Sequence, residues 1–511
     1  MRFERSSGIL LHPTSLPGPF GVGDLGSEAH KFIDFLESSG QKLWQIMPLG
    51  PTGFGNSPYS SFSAFAGNTL LVSPDLLIKD KLLTKEDLKG APRFHRDRVD
   101  FGRVIEFKNR LLARAFENYK RANDAGMAED VKNFSQFAGD WLDDYALFRA
   151  IQEQAGGASW DVWKPELRRR ERRAIESARR DLSEKIEAQK FFQYLFFKQW
   201  FLLKAYSDEK GIKIIGDMPI FVAYDSADVW AYPELFKLDE EGRPTVVAGV
   251  PPDAFSKTGQ LWGNPIYNWD RMRETGFSWW IKRMRAALQI VDIVRVDHFR
   301  GFAATYEIPA KDETAEHGRW VKAPGRELFA ALKHYFHNLP IIAEDLGTIT
   351  PDVHHLRDVL GLPGMRVLQF AFGGDPRDTH LPHNYNQNTV VYTGTHDNDT
   401  VVGWFESKPQ SEAAEVEAEE SEEKESDADR ALRYLNTDGR EIHWDFIRAA
   451  LASVADIAII PLQDLLGLGS DARMNLPASQ KDNWAWRFRA GALGDELSQR
   501  LKEMTELYGR G

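Results

Sequence analysis

The sequence contains no cysteine among its 511 residues. This absence excludes disulfide bonds, a thiolate nucleophile and cysteine-ligated metal sites, and it fits a reducing compartment. The first residues, Met1–Gly8, lack the apolar core of a signal peptide, and no long uncharged apolar run follows them. We therefore expect a cytoplasmic protein without a membrane-spanning segment.

Positive charge is also in short supply, since the formal net charge is −12. Residues 411–430 hold eight Glu and two Asp against one Lys and one Arg, a charge of −8, which leaves −4 for the rest of the chain. An acidic balance argues against nucleic acid as a partner. The stretch 409–430 is low in complexity and lacks aromatic residues, so we interpret it as a solvated acidic insertion. A segment that docks to another protein is the alternative.

Short apolar segments recur along the chain, each followed by a turn and a helical pattern. Continuously apolar strands are typical of sheets that are buried on both faces, and eight such strands alternating with helices predict an α/β fold, a closed (β/α)8 TIM barrel over residues 1–511. An open doubly wound sheet is the alternative, but no glycine-rich dinucleotide fingerprint follows the first strand. The predicted strands are Ile9–His12, Leu43–Pro48, Ile212–Pro219, Ile293–Asp297, Ile341–Glu344, Arg366–Phe370, Val390–Thr395 and Ile457–Leu462.

The uneven spacing of these strands predicts insertions in the βα loops. Residues 73–200, between the second and third strands, have the charged periodic pattern of a helical insertion. Residues 224–270 are rich in Pro, Gly and aromatic side chains, and they predict a long loop without regular structure. Such a loop has too many aromatic residues to be disordered, so we expect it to be functional.

Acidic residues stand at the ends of four predicted strands: Asp217, Asp297, Glu344 and Asp397. A single acid at such a position is often a helix cap. In a parallel barrel, however, the carboxyl ends of all strands meet at one face, which is where reactive groups lie. We therefore expect the four carboxylates to converge on one cavity.

Converging carboxylates permit two kinds of chemistry. One is a site for a hard cation such as Mg²⁺ or Ca²⁺, and the other is glycosyl transfer, which needs one ionised and one protonated carboxyl group. Arg295 precedes Asp297 by two residues and projects to the same strand face. Its charge is expected to lower the pKa of Asp297 and to repel a metal ion. This favours glycosyl transfer.

The loop Gly50–Ser60 follows the second predicted strand and is rich in glycine and serine. It lacks the lysine and the following helix of a phosphate-binding P-loop. The sequence has 15 Trp, 14 Tyr and 32 Phe, most of which we interpret as core residues. Tyr59 is expected to be an exception, a stacking platform for a sugar at the barrel mouth, with a plain turn as the alternative.

Several of these segments resemble motifs of glycoside hydrolase family 77, the 4-alpha-glucanotransferases of the amylomaltase type. The similarity extends over about positions 5–508, and the motifs are far more specific together than singly. They are Gly8–Pro17, Gly216–Ile220, the loop of residues 250–265 through Trp262, Val294–Gly301, Ala343–Gly347 and Gly394–Asn398.

The resemblance implies an enzyme that moves α-1,4-glucan segments from one maltodextrin to another, or to glucose. The mechanism implied is retaining double displacement through a covalent glucosyl-Asp intermediate. Its partners would be maltooligosaccharides, amylose and glucose, with no cofactor, metal, nucleic acid or membrane, and the protein would be a monomer or weak homodimer. Alternatives are an α-1,4-glucan hydrolase of the α-amylase type and a catalytically silent glucan-binding protein.

The resemblance also implies residue roles. Asp297 matches the nucleophile, Glu344 the acid/base, and Asp397 the third carboxylate, which holds sugar hydroxyls and stabilises the transition state. Burial or the neighbouring Asp397 is expected to raise the pKa of Glu344. Segment 224–270 would arch over the cleft. The positions that match substrate-binding residues are Tyr59, Ser57, Asp217, Gln260, Trp262, Arg295, His298, His396 and Asn475, of which Tyr59 and Trp262 match aromatic platforms on either side of the scissile bond.

Overall fold

The computed structural model of the protein describes residues 2–252, 256–408, 425–477, 479 and 481–511. Residues 409–424, which make up most of the predicted acidic insertion 409–430, lie outside the described residues. The role of that insertion therefore stays a prediction.

Eight parallel strands form a barrel wall, and four further strands form a separate antiparallel sheet. The neighbours around the wall are β10-β11-β12-β1-β2-β3-β6-β9, and the second sheet has the order β5-β4-β7-β8. The predicted (β/α)8 barrel is confirmed. The strands are β1 (Ser6–Leu10), β2 (Leu43–Ile46), β3 (Lys213–Pro219), β4 (Val246–Val250), β5 (Gln260–Pro265), β6 (Ile293–Asp297), β7 (Ala304–Pro309), β8 (Arg319–Lys322), β9 (Ile341–Ala343), β10 (Gly364–Val367), β11 (Thr389–Tyr392) and β12 (Ile457–Pro461).

Each of the eight predicted segments overlaps one barrel strand, but the ends differ by up to three residues. One such difference is at β10, which begins at Gly364 and ends at Val367, where the chain turns into a short 3-10 helix, Leu368–Phe370. The prediction ran past the strand because Leu368 in that turn is also buried. An apolar run does not show where a buried strand becomes a buried turn.

Alternate residues of the barrel strands point into the barrel and outward to the helices. On β6, Ile293 belongs to the interior cluster, whereas Val294 and Val296 pack with the outer core. Arg295 and Asp297 therefore continue the inward row that Ile293 begins. The interior cluster consists of Leu10, Leu43, Ile215, Ile293, Ile342, Met365, Val367, Val390, Tyr392, Ile457 and Ile459.

Helices surround the barrel and bury their apolar faces against the outward side chains of its strands. Within the described residues no helix is both long and apolar enough to cross a membrane. The helices are α1 (Ser27–Ser38), α2 (Pro74–Lys79), α3 (Phe101–Ala122), α4 (Ala125–Phe137), α5 (Leu142–Gln154), α6 (Pro165–Arg168), α7 (Arg172–Asp181), α8 (Ser183–Glu209), α9 (Ala227–Ala231), α10 (Trp269–Glu274), α11 (Ser278–Ile290), α12 (Gly325–Tyr335), α13 (Pro351–Leu360), α14 (Val401–Glu406), α15 (Asp427–Leu435), α16 (Ile442–Ala452), α17 (Leu462–Leu465) and α18 (Asp495–Leu507).

Helices α2 to α8 lie between β2 and β3. Helix α3 begins where the side chain of Asp100 accepts the N–H of Arg103, and its apolar face packs on α8 through rings such as Tyr119 and Phe191, whose centroids are 4.5 Å apart. The buried side chains of these helices form one contiguous core with the outer face of the barrel. The predicted end of the insertion, residue 200, lies within α8, which continues to Glu209. The bounds 73–200 of this insertion stay a prediction.

The stretch 224–270 differs from the predicted long loop, because it contains strands β4 and β5. Strand β4 pairs with β5 on one side and with β7 on the other, so its partners come partly from outside the stretch. Pairing with a distant strand leaves no local periodic signal, and Gly249, Gly259 and Gly263 interrupt the apolar pattern. The role of the stretch as a cover of the cleft stays a prediction.

Gly8 on β1 offers a test of the barrel packing. A Cβ at this position would lie 2.2 Å from the carbonyl oxygen of Leu43 on β2, a rigid strand neighbour. We expect Gly8→Ala to cost about 1–3 kcal/mol, which lowers the thermal melting midpoint by several degrees. Gly469→Ala is the matched control, because nothing lies within 4 Å of a Cβ there. Equal midpoints for the two variants would contradict the described contact of β1 with β2.

Candidate active site

Strand β6 carries its charged side chains toward the mouth of the barrel. Arg295 lies opposite Asp217 of β3 in the strand register. Its Nη1 donates to Asp217 Oδ2 at 2.6 Å and to Asp297 Oδ1 at 3.2 Å. Arg295 and Asp217 are buried, and a buried charge is tolerated only with such a partner. The structure thus brings three of the predicted site residues into one hydrogen-bonded row.

Tyr59, in the loop after β2, contacts this row from the side. Its hydroxyl donates to Asp217 Oδ2 at 2.6 Å, and its ring stacks on His396 with centroids 5.1 Å apart and planes at 17°. The predicted sugar platform therefore has one ring face already covered by a protein side chain. The Oγ of Ser57 accepts the N–H of Tyr59 at 3.2 Å, so Ser57 supports the turn that holds the ring.

Glu344 follows β9 and is oriented by backbone N–H groups. The N–H of His298 donates to Glu344 Oε2 at 2.6 Å, and the N–H of Leu346 donates to Oε1 at 2.8 Å. His298 has a left-handed φ of 53°, which is uncommon for a residue with a Cβ. Such backbone strain persists only where the surroundings hold it, and here the strained residue supplies an N–H to Glu344.

The strand register sets the spacing of the two carboxylates. Val296 of β6 pairs with Ala343 of β9, so Asp297 and Glu344 take the next positions in neighbouring parallel strands. Neighbouring strands lie about 4.8 Å apart. The two side chains consequently leave the barrel wall side by side at its mouth.

Burial at the base of the cleft raises the pKa of both carboxyl groups, but their neighbours differ. For Asp297, Arg295 opposes the effect of burial without cancelling it, so the expected lowering of the Asp297 pKa is wrong in its net direction. For Glu344, the charge of Asp297 adds to burial. The expected rise in the Glu344 pKa is therefore present, although the neighbouring carboxylate responsible is Asp297 rather than Asp397. When one proton is shared between the two carboxyl groups, these environments favour its position on Glu344 over Asp297.

Asp397 stands on the loop after β11, and its side chain is 49% exposed. Asn475 Nδ2 donates to its Oδ1 at 2.6 Å, and Arg473 Nη2 donates to its main-chain oxygen at 2.6 Å. The Nε2 of His396 lies 3.5 Å from the same Oδ1. Asn475 and His396 are thus brought together with Asp397, and an exposed, oriented carboxylate of this kind can accept hydrogen bonds from a ligand.

The side chain of Trp262 lies beside His298, with its ring 38% exposed. The two ring centroids are 4.7 Å apart at an angle of 83°, and Trp262 Nε1 donates to Gln260 Oε1 at 3.1 Å. The Nε2 of His298 is buried, and among the described residues it has no hydrogen-bond partner. Burial lowers the pKa of His298 to about 4, so its ring is neutral near pH 7 and can bond a hydroxyl group.

Two contacts of the site could not be expected from the sequence. Backbone N–H groups hold Glu344, and no residue type announces them. The Sδ of Met365 on β10 lies 3.3 Å from Arg295 Nε inside the barrel, a contact that depends on the register of distant strands. Across the described residues, no group of three or more His, Asp or Glu side chains is placed to hold a metal ion.

Comparisons with known proteins agree on one family. The family model for 4-alpha-glucanotransferase matches residues 11–493. The chain is 51% identical to the 4-alpha-glucanotransferase of Synechocystis over 99% of this chain and 98% of that protein, and 49% identical to that of Thermus thermophilus over all of both chains. This chain belongs to the 4-alpha-glucanotransferase family. The enzyme class expected from the motifs is thereby confirmed.

Solved structures extend the comparison to the fold of 4-alpha-glucanotransferases. The amylomaltase of Streptococcus agalactiae, solved in complex with acarbose, is 42% identical, with a TM-score of 0.93 over 99% of this chain and 100% of that one. The amylomaltase of Corynebacterium glutamicum, 17% identical, has a TM-score of 0.76 over 98% of this chain and 75% of that one, which shows a shared fold. The described residues of this chain are therefore built as in this family.

The contact between Arg295 and Asp297 predicts a change in the pH profile of glucan transfer. Arg295 lowers the pKa of Asp297, so Arg295→Gln should raise it, and the acid limb of kcat/KM should move by about one to three pH units to higher pH. Arg295→Lys, which keeps the charge, is the control and should leave the limb near that of the wild type. An acid limb that does not move in Arg295→Gln would contradict the assignment of this limb to Asp297.

Proposed function

We propose that the enzyme transfers α-1,4-glucan segments by retaining double displacement, with Asp297 as nucleophile and Glu344 as acid/base. The observation that carries this proposal is the adjacent placement of the two side chains on β6 and β9. Retaining enzymes hold their two carboxyl groups about 5–5.5 Å apart, whereas inverting enzymes keep about 6.5–9.5 Å for an intervening water. Adjacent strand positions support the shorter separation.

The different neighbours of the two carboxyl groups support their different roles. Arg295 contacts Asp297 directly, which favours the ionised form that a nucleophile needs. Glu344 lies beyond that contact and is raised in pKa by burial and by Asp297. Two carboxyl groups whose environments separate their pKa values can serve as a proton donor and a nucleophile at the same pH.

In the first half of the reaction, an Asp297 oxygen forms a bond to the anomeric carbon of the donor. The glycosidic C–O bond breaks as Glu344 gives its proton to the leaving oxygen. In the second half, the 4-hydroxyl of an acceptor glucan, or of glucose, attacks the same carbon. Glu344 takes the hydroxyl proton back, the bond to Asp297 breaks, and the original anomeric configuration is restored.

The remaining predicted residues would hold the sugars. The exposed ring of Trp262 and the ring of Tyr59 suit the apolar faces of glucose units on either side of the scissile bond. The neutral ring of His298 would bind sugar hydroxyls, as would Asp397, Asn475 and Asp217 with its partner Arg295. The list of proposed binding residues is completed by Ser57, Gln260, Arg295 and His396. Maltooligosaccharides and amylose are the proposed donors, and no metal or cofactor takes part.

Hydrolysis by an α-amylase-like route is the second candidate, because the same carboxylates could pass the intermediate to water. Segment 224–270, with Trp262 beside His298, favours transfer if it limits the access of water and holds the acceptor. The state of a monomer or weak homodimer and the cytoplasmic location stay predictions, and a role in starch or glycogen metabolism is part of this proposal.

Incubation of the purified protein with maltotriose distinguishes the two candidates. We expect maltodextrins longer than maltotriose together with glucose. Chromatography over the first few per cent of turnover measures these products. Maltose and glucose alone, in equal amounts, would mean hydrolysis and would contradict the proposal. Asp297→Asn, which keeps the shape of the side chain without its charge, serves as the control and should form neither product set.

A further inference from the structure

The barrel wall has a seam beside Glu344. Hydrogen-bonded ladders join seven neighbouring strand pairs, and within the described residues, which include all of β9 and β10, no ladder joins these two strands. One backbone bond crosses the seam, in which Ala343 N donates to the Pro363 oxygen at 3.0 Å. In a regular parallel pair, the main-chain oxygen of Ala343 would then accept the N–H of Met365.

The carboxylate of Asp345 accepts that N–H instead. Asp345 Oδ1 lies 2.7 Å from Met365 N, and Oδ2 accepts a hydrogen bond from Arg357 Nη1 of helix α13. A second guanidinium, that of Arg366 on β10, lies 3.7 Å from the same oxygen. The Asp345 side chain is 0% exposed, so a loss of these partners would leave a buried charge unpaired.

Two further features of the seam agree with its closure by side chains. The next N–H of β10 on the same side, that of Val367, donates to His380 Nδ1 at 3.0 Å. A Cβ at Gly364 would lie 2.5 Å from Asp345 Oδ2 and 2.7 Å from Oδ1, so only glycine leaves room for the carboxylate. The glycine at the start of β10 therefore meets the space requirement of the Asp345 carboxylate as well as that of a strand.

We propose that Asp345 is a positioning residue, which closes the barrel seam between β9 and β10 and thereby holds the adjacent Glu344 at the site. Successive residues of an extended chain point to opposite sides, so Glu344 faces the barrel mouth while Asp345 faces the seam. Asp345 ties the end of β9 to both β10 and α13. Because Glu344 shares this backbone, a shift of the Asp345 anchor would also shift the Glu344 carboxyl group relative to the N–H of His298.

This inference rests on the proposed acid/base role of Glu344, and it predicts a loss confined to steps that need that group. Asp345→Asn keeps an oxygen for the Met365 N–H but removes the charge that pairs with Arg357. A displacement of about 1 Å in a catalytic group can cost about 100-fold in rate. We expect Asp345→Asn to lower kcat for maltotriose disproportionation by about 10- to 100-fold, while KM changes by less than about threefold.

The experiment compares two donors in the full-length enzyme. With α-maltotriosyl fluoride, the leaving fluoride needs no proton. The rate of the initial burst of fluoride release by Asp345→Asn should therefore stay within about threefold of the wild-type rate. Glu344→Gln should show the same pattern more strongly. Asp456→Asn is the matched control, because Asp456 is also buried and pairs with Arg2 at the opposite end of the barrel. It should leave both rates near those of the wild type.

The outcomes separate failure of the inference from failure of the proposed function. If Glu344→Gln slows the reactions with maltotriose and with α-maltotriosyl fluoride equally, or slows neither, the acid/base assignment itself is wrong. If Glu344→Gln behaves as expected but Asp345→Asn keeps the wild-type rate on maltotriose, or loses the fluoride burst by the same factor, the positioning role of Asp345 is wrong. Should Asp345→Asn fail to fold, Arg357→Gln removes the charge partner from α13 and is judged by the same two rates.

Discussion

The site depends on one buried interaction, the guanidinium of Arg295 held between the carboxylates of Asp217 and Asp297. A cation inside a barrel lined by Ile, Leu, Val and Met is tolerated only because a carboxylate stands opposite it on the neighbouring strand. That pairing requires β3 and β6 to keep their register, and the hydroxyl of Tyr59 shares the same Asp217 oxygen. The register of β3 and β6 and the pKa of Asp297 therefore both depend on this contact.

The geometry of Glu344 is maintained by different means. Its carboxyl group is held by backbone N–H groups, one of them from His298 in a left-handed conformation. Its strand ends at the seam between β9 and β10, where side chains close the barrel. The proposed nucleophile thus stands on a continuous part of the wall and the proposed acid/base beside the seam. This division suits a reaction in which one carboxyl group must stay charged and the other must lose and regain a proton.

The sequence predicted what is locally encoded. The barrel strands are continuously apolar and end in acids, so both the fold class and the convergence of Asp217, Asp297 and Glu344 followed from it. The four-stranded sheet did not, because strand β4 pairs with residues far along the chain. The net pKa of Asp297 was misjudged because the cost of burial depends on the whole cleft, whereas the opposing charge of Arg295 is visible two residues away. The role of Asp345 was hidden for a similar reason, since its partners lie on α13 and β10.

The proposed mechanism requires a covalent bond between Asp297 and the donor sugar. Mass spectrometry of Glu344→Gln after incubation with α-maltotriosyl fluoride tests it most directly, because fluoride can leave without an acid while the second step lacks its base. We predict a protein heavier by one maltotriosyl group, and peptide mapping should locate the group on Asp297. Fluoride release without an adduct, or an adduct on another residue, would contradict the role of Asp297 as nucleophile.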